Sequence, residues 1–361
     1  TRLLPRLHKG NTRRFPRYDL RCGGRMELMM KIIFEKNTDK WKIFRIPALL
    51  RAENGDIIAY CEARRDGAAD YGCIDLVQRR STDGGRSWGE IETVESDGKN
   101  TFGNPCPVSL AEDGRICLVY CYNDAYGGEK EILAGRAKRR VFVKFSDDFG
   151  KTYTAAREIT DEALGEGYTW FATGPCHGAR LLSGRIIIPC NHAVAGSLQI
   201  GQTRSHIMYS DDRGESWHIG AESIFGTNEA TAAPLSDGGL YLNMRSNAFG
   251  ARRAYAVSRD GGETLGETAA GLCGPYCQGS VYLASDGMLY FTNCDSDKRE
   301  NLTLYKSRGG AAWEKVMTVN EGISAYSDIC ENADGELLIL YEAGTEAEYE
   351  RICLEIVKKK G

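Results

Sequence analysis

Residues 81–88 read STDGGRSW, and the pattern returns as SDDFGKTY from Ser146, SDDRGESW from Ser210 and SRDGGETL from Ser258. The shared form is Ser-x-Asp-x-Gly-x-(Ser/Thr)-aromatic, with Leu265 in the aromatic place of the fourth copy. A degenerate fifth copy, SRGGAAW, starts at Ser307. Successive copies begin 65, 64, 48 and 49 residues apart, and each follows an alternating run such as HIMY (206–209) or RAYAV (253–257). Such a unit reads as a hairpin: a strand enters, the Asp binds local N–H groups, glycine takes the positive-φ position and a second strand leaves.

One hairpin of this kind cannot bury its own faces, but several stacked around an axis can. The expected fold is all-β, a β-propeller. At roughly 50–60 residues per four-stranded blade, residues 29–361 make six blades. Long 3.6-residue periodicity is missing; ITDEALGEG (159–167) amounts to a short helical turn. Residues 1–28 are basic at first and without periodicity, and are expected to form an extension outside the fold.

Composition agrees. The 361 residues include 42 glycines and 18 tyrosines, which suits tight turns between short strands. A net charge of −4 gives no global reason to expect nucleic acid or a membrane surface as partner. No apolar run is long enough to span a bilayer. The 13 cysteines are odd in number, lack a CxxC pair and sit in apolar runs such as RICLVY (115–120), so buried free thiols are expected. With no leader-like segment visible, a cytoplasmic location is expected, secretion being the alternative should the N-terminus not be native. His177, His192, His206 and His218 show no metal spacing, and no cofactor or metal is expected. No phosphate loop is present, and AKRR (137–140) reads as a solvated strand end.

Other motifs carry the chemistry. FRIPALL (44–50) places Arg45 inside an apolar strand, where a charge must be paired. Downstream come EARRDGAADYG (62–72), FGNPCPV (102–108), FATGPCHG (171–178), NEATAAPLSDGGLYLNMRS (228–246), CQGSV (277–281), KRENLTLY (298–305), AYSDI (325–329) and LYE (340–342). In this order, interleaved with the aspartate boxes, they resemble the sialidase family over about 300 residues. Singly, each has an ordinary reading: Tyr326 as a packed core tyrosine, Glu229 as a loop glutamate, Asp70 as a turn residue. Their joint order reverses that.

The resemblance implies an exo-α-sialidase acting on sialylated glycans: glycoproteins, oligosaccharides and gangliosides. It implies Tyr326 as nucleophile, Glu229 as its base and Asp70 as acid/base. Arg45, Arg245 and Arg299 would clasp the sugar carboxylate, with Glu342 bracing Arg45. The family's arginine five residues before the aspartate is here Arg65, expected to bind the substrate. Asn104 and Gln278 are expected to line the sugar site; Asn104 stands where some relatives have an aspartate.

The chemistry is coherent. Planar guanidinium forks select a carboxylate. A carboxylate nucleophile would meet the sugar's own carboxylate as a like charge, a repulsion of about 4 kcal/mol at about 4 Å and an effective dielectric near 20. That slows the step roughly a thousandfold. A phenol beside a base avoids it. Transfer to an acceptor, another nonulosonic acid as substrate, and a silent glycan-binding propeller remain alternatives. The segments 123–137 and 193–204 are expected to shape the aglycone side.

Overall fold

The computed structural model describes residues 30–110, 113–194, 196 and 202–359. The expected N-terminal extension lies outside the described residues, as does part of the 193–204 segment.

The fold is all-β, built from antiparallel meanders in chain order. The first runs Ile43–Arg51, Ile57–Arg64, Ile74–Ser81 and Glu92–Glu95. Next are Thr101–Ser109, Ile116–Asn123, Arg140–Ser146 and Arg157–Glu158. Then come Tyr168–Thr173, Ile186–Val194, Thr203–Ser210 and His218–Glu222, followed by Thr227–Pro234, Leu240–Ser246, Arg252–Ser258 and Ala269–Cys273. After Ser280–Leu283, Leu289–Cys294 and Glu300–Ser307, the long strand Glu314–Glu331 serves two meanders. Up to Ile323 it pairs backward with Glu300–Ser307; from Ser324 it pairs forward with Leu337–Ala343. The last meander continues through Arg351–Val357, and Lys31–Glu35 supplies its outer strand.

Helices are confined to Glu129–Leu133 and Thr160–Ala163 among the described residues, the second being the short turn read from ITDEALGEG.

Apolar faces of successive meanders pack on each other. Tyr153 joins Ile58, Tyr60, Ile116 and Leu118 between the first and second, and Trp217 joins Val119, Val143, Ile186 and Met208 between the second and third. Ile33, Leu338 and Leu354 of the last meander pack on Leu49, Ile57 and Val77 of the first. The box residue at the eighth position is thus a wedge against the preceding sheet, as the hairpin reading requires. Where it is Leu265 or, after the shortened box, Trp313, it still joins the corresponding cluster.

The box turns are closed locally. In the second copy the Ser146 hydroxyl donates to Asp148 Oδ1 (2.8 Å) and accepts from the Gly150 N–H (2.7 Å). Asp148 Oδ1 also takes the Lys151 and Thr152 N–H groups at 3.0 and 2.9 Å, and its Oδ2 takes the Thr152 hydroxyl at 2.6 Å. Gly150 has φ +80°, and a Cβ there would lie 2.7 Å from Ile58 Cδ1, so only glycine serves. The fourth copy keeps its Asp260 bonds to Ser258 and Thr264 despite Leu265. The fifth, lacking the aspartate, retains the Ser307 hydroxyl accepting from Gly310 N–H.

The innermost strands meet at a buried polar layer. Asp328, fully buried, accepts from the N–H groups of Leu49 (2.7 Å), His177 (3.0 Å) and Ile329 (2.8 Å), and from the Ser280 hydroxyl (2.6 Å). One carboxylate therefore ties together segments from four meanders.

Hydrogen bonds from the Ser87 hydroxyl and N–H hold Asp83 down to about 2, and those from Thr264 do the same to Asp260. A folded pKa below the unfolded value of about 4 contributes stability that is present above pH 4 and lost as pH falls toward 2. These groups are exposed and screened, so the effect of each is modest. Urea unfolding of the Asp83→Asn variant should therefore show a shallower loss of stability between about pH 4 and 2 than the parent chain; an unchanged slope would contradict the role assigned to the box.

Candidate active site

The innermost strands are irregular at matching heights. Pair register shifts between Arg45 and Ala48, between Gly103 and Cys106, between Thr227 and Ala230, and between Ser324 and Ser327. Bulges re-aim side chains, and each of these contains or adjoins a residue singled out from sequence: Arg45, Asn104, Glu229 and Tyr326. At the first, Ile46 has φ +58°, a rare conformation for a β-branched residue. Its cost is about 1–3 kcal/mol. The Ile46 N–H donates to buried Glu342 Oε1 at 2.9 Å, a charge-assisted bond of about 1.5–3 kcal/mol that offsets it.

Tyr326 lies at the centre. Its hydroxyl donates to Glu229 Oε1 in a short bond and accepts from Arg245 Nη1 at 3.0 Å. The Arg45 guanidinium lies 5.1 Å from the Tyr326 ring centroid and that of Arg299 5.6 Å. The three arginines expected from sequence therefore converge on one phenol.

Each arginine also has its own carboxylate, which answers their mutual repulsion. Arg45 Nε donates to Glu342 Oε1 at 3.0 Å and its Nη2 to Oε2 at 3.2 Å. Arg245 Nη1 lies 2.7 Å from Glu229 Oε2, and Arg299 Nη1 3.1 Å from Glu348 Oε2. Tyrosine faces complete the walls: Tyr349 stacks on Arg45 and Tyr276 on Arg245, both at 3.8 Å.

Burial pushes the Tyr326 phenol well above its ordinary range and the Glu229 charge adds to this, against the pull of Arg245 and Arg45. It is neutral at rest. Asp70, by contrast, is open to solvent, its side chain 72% exposed. What burial it has would raise its pKa, but Arg64 (Nη1 at 2.7 Å) and Arg45 (3.4 Å) hold it below the usual carboxylate value.

A match to the BNR repeat-like domain family covers residues 56–339. The chain is 30% identical to sialidase-3 of Homo sapiens, covering 82% of this chain and 75% of that one. The chain belongs to the sialidase family. It is also 32% identical to an exo-alpha-sialidase of Aspergillus fumigatus over 66% of its length, and spans 60% of that protein. Among solved structures, a Hadza microbial sialidase superposes with a TM-score of 0.81 at 23% identity, over 91% of this chain and 68% of that one, a likeness of fold.

Not every expected residue of this sialidase-family chain reaches the cluster. Arg65 does not: it donates to Asp75 Oδ2 from Nε (3.0 Å) and Nη2 (2.8 Å), and to Ser96. Arg64 takes the place expected of it. Strand alternation puts Arg64 on the face of Glu62, to which it is paired at 2.5 Å, and turns Arg65 to the other side. Arg64 also donates to the carbonyls of Ala68 (2.6 Å) and Ala69 (3.1 Å), fixing the loop that carries Asp70.

Gln278 is buried and spends its amide on backbone, giving Nε2 to Pro175 and Ser327 carbonyls and accepting from the Ser327 N–H. It braces the strand that carries Tyr326. Asn104, at φ +54°, accepts from Arg139 Nη2 at 2.6 Å. That corrects the reading of AKRR as a solvated strand end. Arg139 is buried, bonds Phe171 and Asn123 as well, and stacks on Trp170 at 4.3 Å.

Sequence reading also missed Arg253. It lies buried, donates to Asn243 and to the Cys277 carbonyl, and is pushed down to about 10 by burial. Its signal was available, as an arginine within the alternating run RAYAV. Glu129, on the short helix of the 123–137 segment, has its carboxyl raised by burial, and the charges of Asp70 and Glu229 add to this, so it shares the field of the site.

Cys176, His177 and Asp328 lie close enough to suggest metal ligands. Asp328, however, already accepts the hydrogen bonds described above and His177 Nδ1 lies 2.6 Å from its Oδ1, so the donor set does not fit an ion. The 12 described cysteines are all free thiols.

Glu342→Ala would leave Arg45 buried without its partner. It should lower unfolding free energy by about 3–5 kcal/mol in denaturant titration, whereas the paired replacement Arg45→Met with Glu342→Leu recovers only the part owed to the unpaired guanidinium, because the Ile46 and Tyr326 N–H groups still lack their acceptor. Equal destabilisation by both would show that the site is not held by this ion pair.

Proposed function

We propose that this chain is an exo-α-sialidase that hydrolyses terminal α-linked sialic acid from sialylated glycans with retention, through a tyrosyl intermediate. We read its meanders as six blades of a propeller, with residues 29–361 as one catalytic unit. The observation that carries the reading is the Tyr326 hydroxyl, donating to Glu229 while accepting from Arg245 inside a three-arginine cluster.

Arg45, Arg245 and Arg299 bind the sugar carboxylate and present the anomeric carbon to Tyr326. Because the phenol is neutral at rest, it attacks only as its proton passes to Glu229. Arg245, bonded to both partners, keeps the developing phenolate and the new carboxylic acid in register. The oxocarbenium-like charge is favoured by the surrounding carboxylates.

Asp70 protonates the leaving oxygen and then takes a proton from water. In the free chain it is held ionised by Arg64 and Arg45. An incoming sugar carboxylate neutralises Arg45 and excludes water, both of which raise the Asp70 pKa toward that of a working acid. A silent glycan-binding propeller is disfavoured, since it has no need of the Tyr326–Glu229 proton path. The choice between water and another sugar as acceptor rests with the outer loops.

With a fluorogenic sialoside, Tyr326→Phe should lower kcat by about a thousandfold or more while sialic acid still binds; unchanged turnover would overturn the mechanism. Arg64→Met should cut kcat by about tenfold or more by releasing the Asp70 loop. Arg65→Ala should stay within about threefold of the parent, and the reverse ranking would restore Arg65 to the site.

A further inference from the structure

The inner strands have a second end. A cavity of about 260 Å³ is lined by their C-terminal residues, among them Arg51, Ser109, Pro234, Leu283 and Cys330. Arg51 is six residues beyond Arg45 on one strand, about 20 Å along the axis. The buried layer of Asp328, Gln278 and Ser280 lies between this cavity and the Tyr326 cluster.

Among the polar groups that line the cavity are Arg51, Arg180 and His177. Arg51 and Arg180 are exposed at its edge, and their side chains make no hydrogen bond or ion pair with any described residue. His177 forms part of the floor and is nine-tenths buried. Its Nδ1 lies 2.6 Å from Asp328 Oδ1, which fixes the ring with Nδ1–H donating. Its Nε2 has no partner among the described residues, yet it is not a sealed, solvent-excluded atom, so it faces the cavity. The rest of the lining is mixed, with Glu53, Ser109 and Tyr282 beside the apolar Leu49, Val108, Ala179 and Ala232.

These features define a ligand. With Nδ1–H spent on Asp328, Nε2 is left to bond the occupant, and a hydroxyl, which both donates and accepts, can serve it. Two unpaired guanidinium groups at the mouth call for an anionic acceptor. Glu53 on the same rim weighs against a dianion. The volume falls below the range of about 300–1,000 Å³ that drug-sized ligands occupy. We propose that this axial cavity is a second binding site, remote from the Tyr326 cluster, for a small monocarboxylate with an apolar body and a hydroxyl at its far end.

The probes are 4-hydroxybenzoate, benzoate and 4-hydroxybenzyl alcohol, titrated calorimetrically at up to millimolar concentration into the full chain. 4-Hydroxybenzoate should bind, and each analogue, lacking one polar group, should bind more weakly by about tenfold. The double variant Arg51→Ala/Arg180→Ala, made at exposed positions, should lose 4-hydroxybenzoate binding by about tenfold or more while its thermal unfolding is unchanged. Arg245→Ala should bind the probe like the parent. The proposal is overturned if 4-hydroxybenzoate gives no binding, if the double variant binds it equally well, if benzoate matches it, or if Arg245→Ala abolishes binding, which would place the probe at the other end. Because the readout is binding and needs no turnover, it succeeds or fails independently of the hydrolytic reading.

Discussion

The buried carboxylate of Glu342 is the constraint on which the rest of the site depends. It accepts from Arg45 Nε and Nη2, from the Ile46 N–H and from the Tyr326 N–H at 3.2 Å. A single side chain thus fixes the first arginine, supports the unusual backbone that aims it, and sets the strand that presents the phenol. Buried ion pairs are weak sources of stability but strong sources of unique geometry when every lone pair is used. Here geometry is what the chemistry needs, since a fork displaced by an ångström no longer meets a carboxylate squarely.

The same economy governs the charges around it. Three guanidinium groups gathered around one phenol would repel each other, yet each is held by a separate carboxylate of a different segment: Glu342, Glu229 and Glu348. The cluster is therefore built before any ligand arrives, and ligand binding does not have to assemble it. Glu229 carries two duties in this arrangement, neutralising Arg245 and receiving the Tyr326 hydroxyl. The pairing brings a phenol, a glutamate and a guanidinium within hydrogen-bond distance of one another in a buried place.

Propeller-like stacking gives the inner strands two different ends. Bulges break their register near Arg45, Asn104, Glu229 and Tyr326, and regular pairing resumes beyond, through Asp328 to the far cavity. Irregular backbone at one end and regular backbone at the other is a division of labour: local bulges aim the clustered side chains, and the ladder below holds them rigid.

The repeated boxes made the all-β architecture readable, because each is a self-contained turn whose hydrogen bonds close within about eight residues. The order of FRIP, NEATAAPLSDGGLYLNMRS, KRENLTLY and AYSDI made the family, and through its resemblance Arg45, Glu229, Arg245, Arg299 and Tyr326, readable; Arg45, Glu229 and Tyr326 lie on inner strands, Arg245 on the neighbouring strand and Arg299 just before Glu300–Ser307. What failed was orientation. Spacing alone chose Arg65, whereas the pleat of Ile57–Arg64 turned Arg64 inward beside Glu62. Gln278 was expected at the sugar and instead binds backbone, and Arg139 was taken for a solvated residue although it is buried against Asn104 and Trp170. The sequence by itself determined which turns form and which segments become inner strands, since those depend on neighbours along the chain. The pairing of Arg45 with Glu342 was implied by the resemblance and is present; only the tertiary structure decided which of two adjacent arginines meets Asp70 and that Glu229 and Glu348 hold Arg245 and Arg299, because those contacts depend on how separate segments are brought together in the fold.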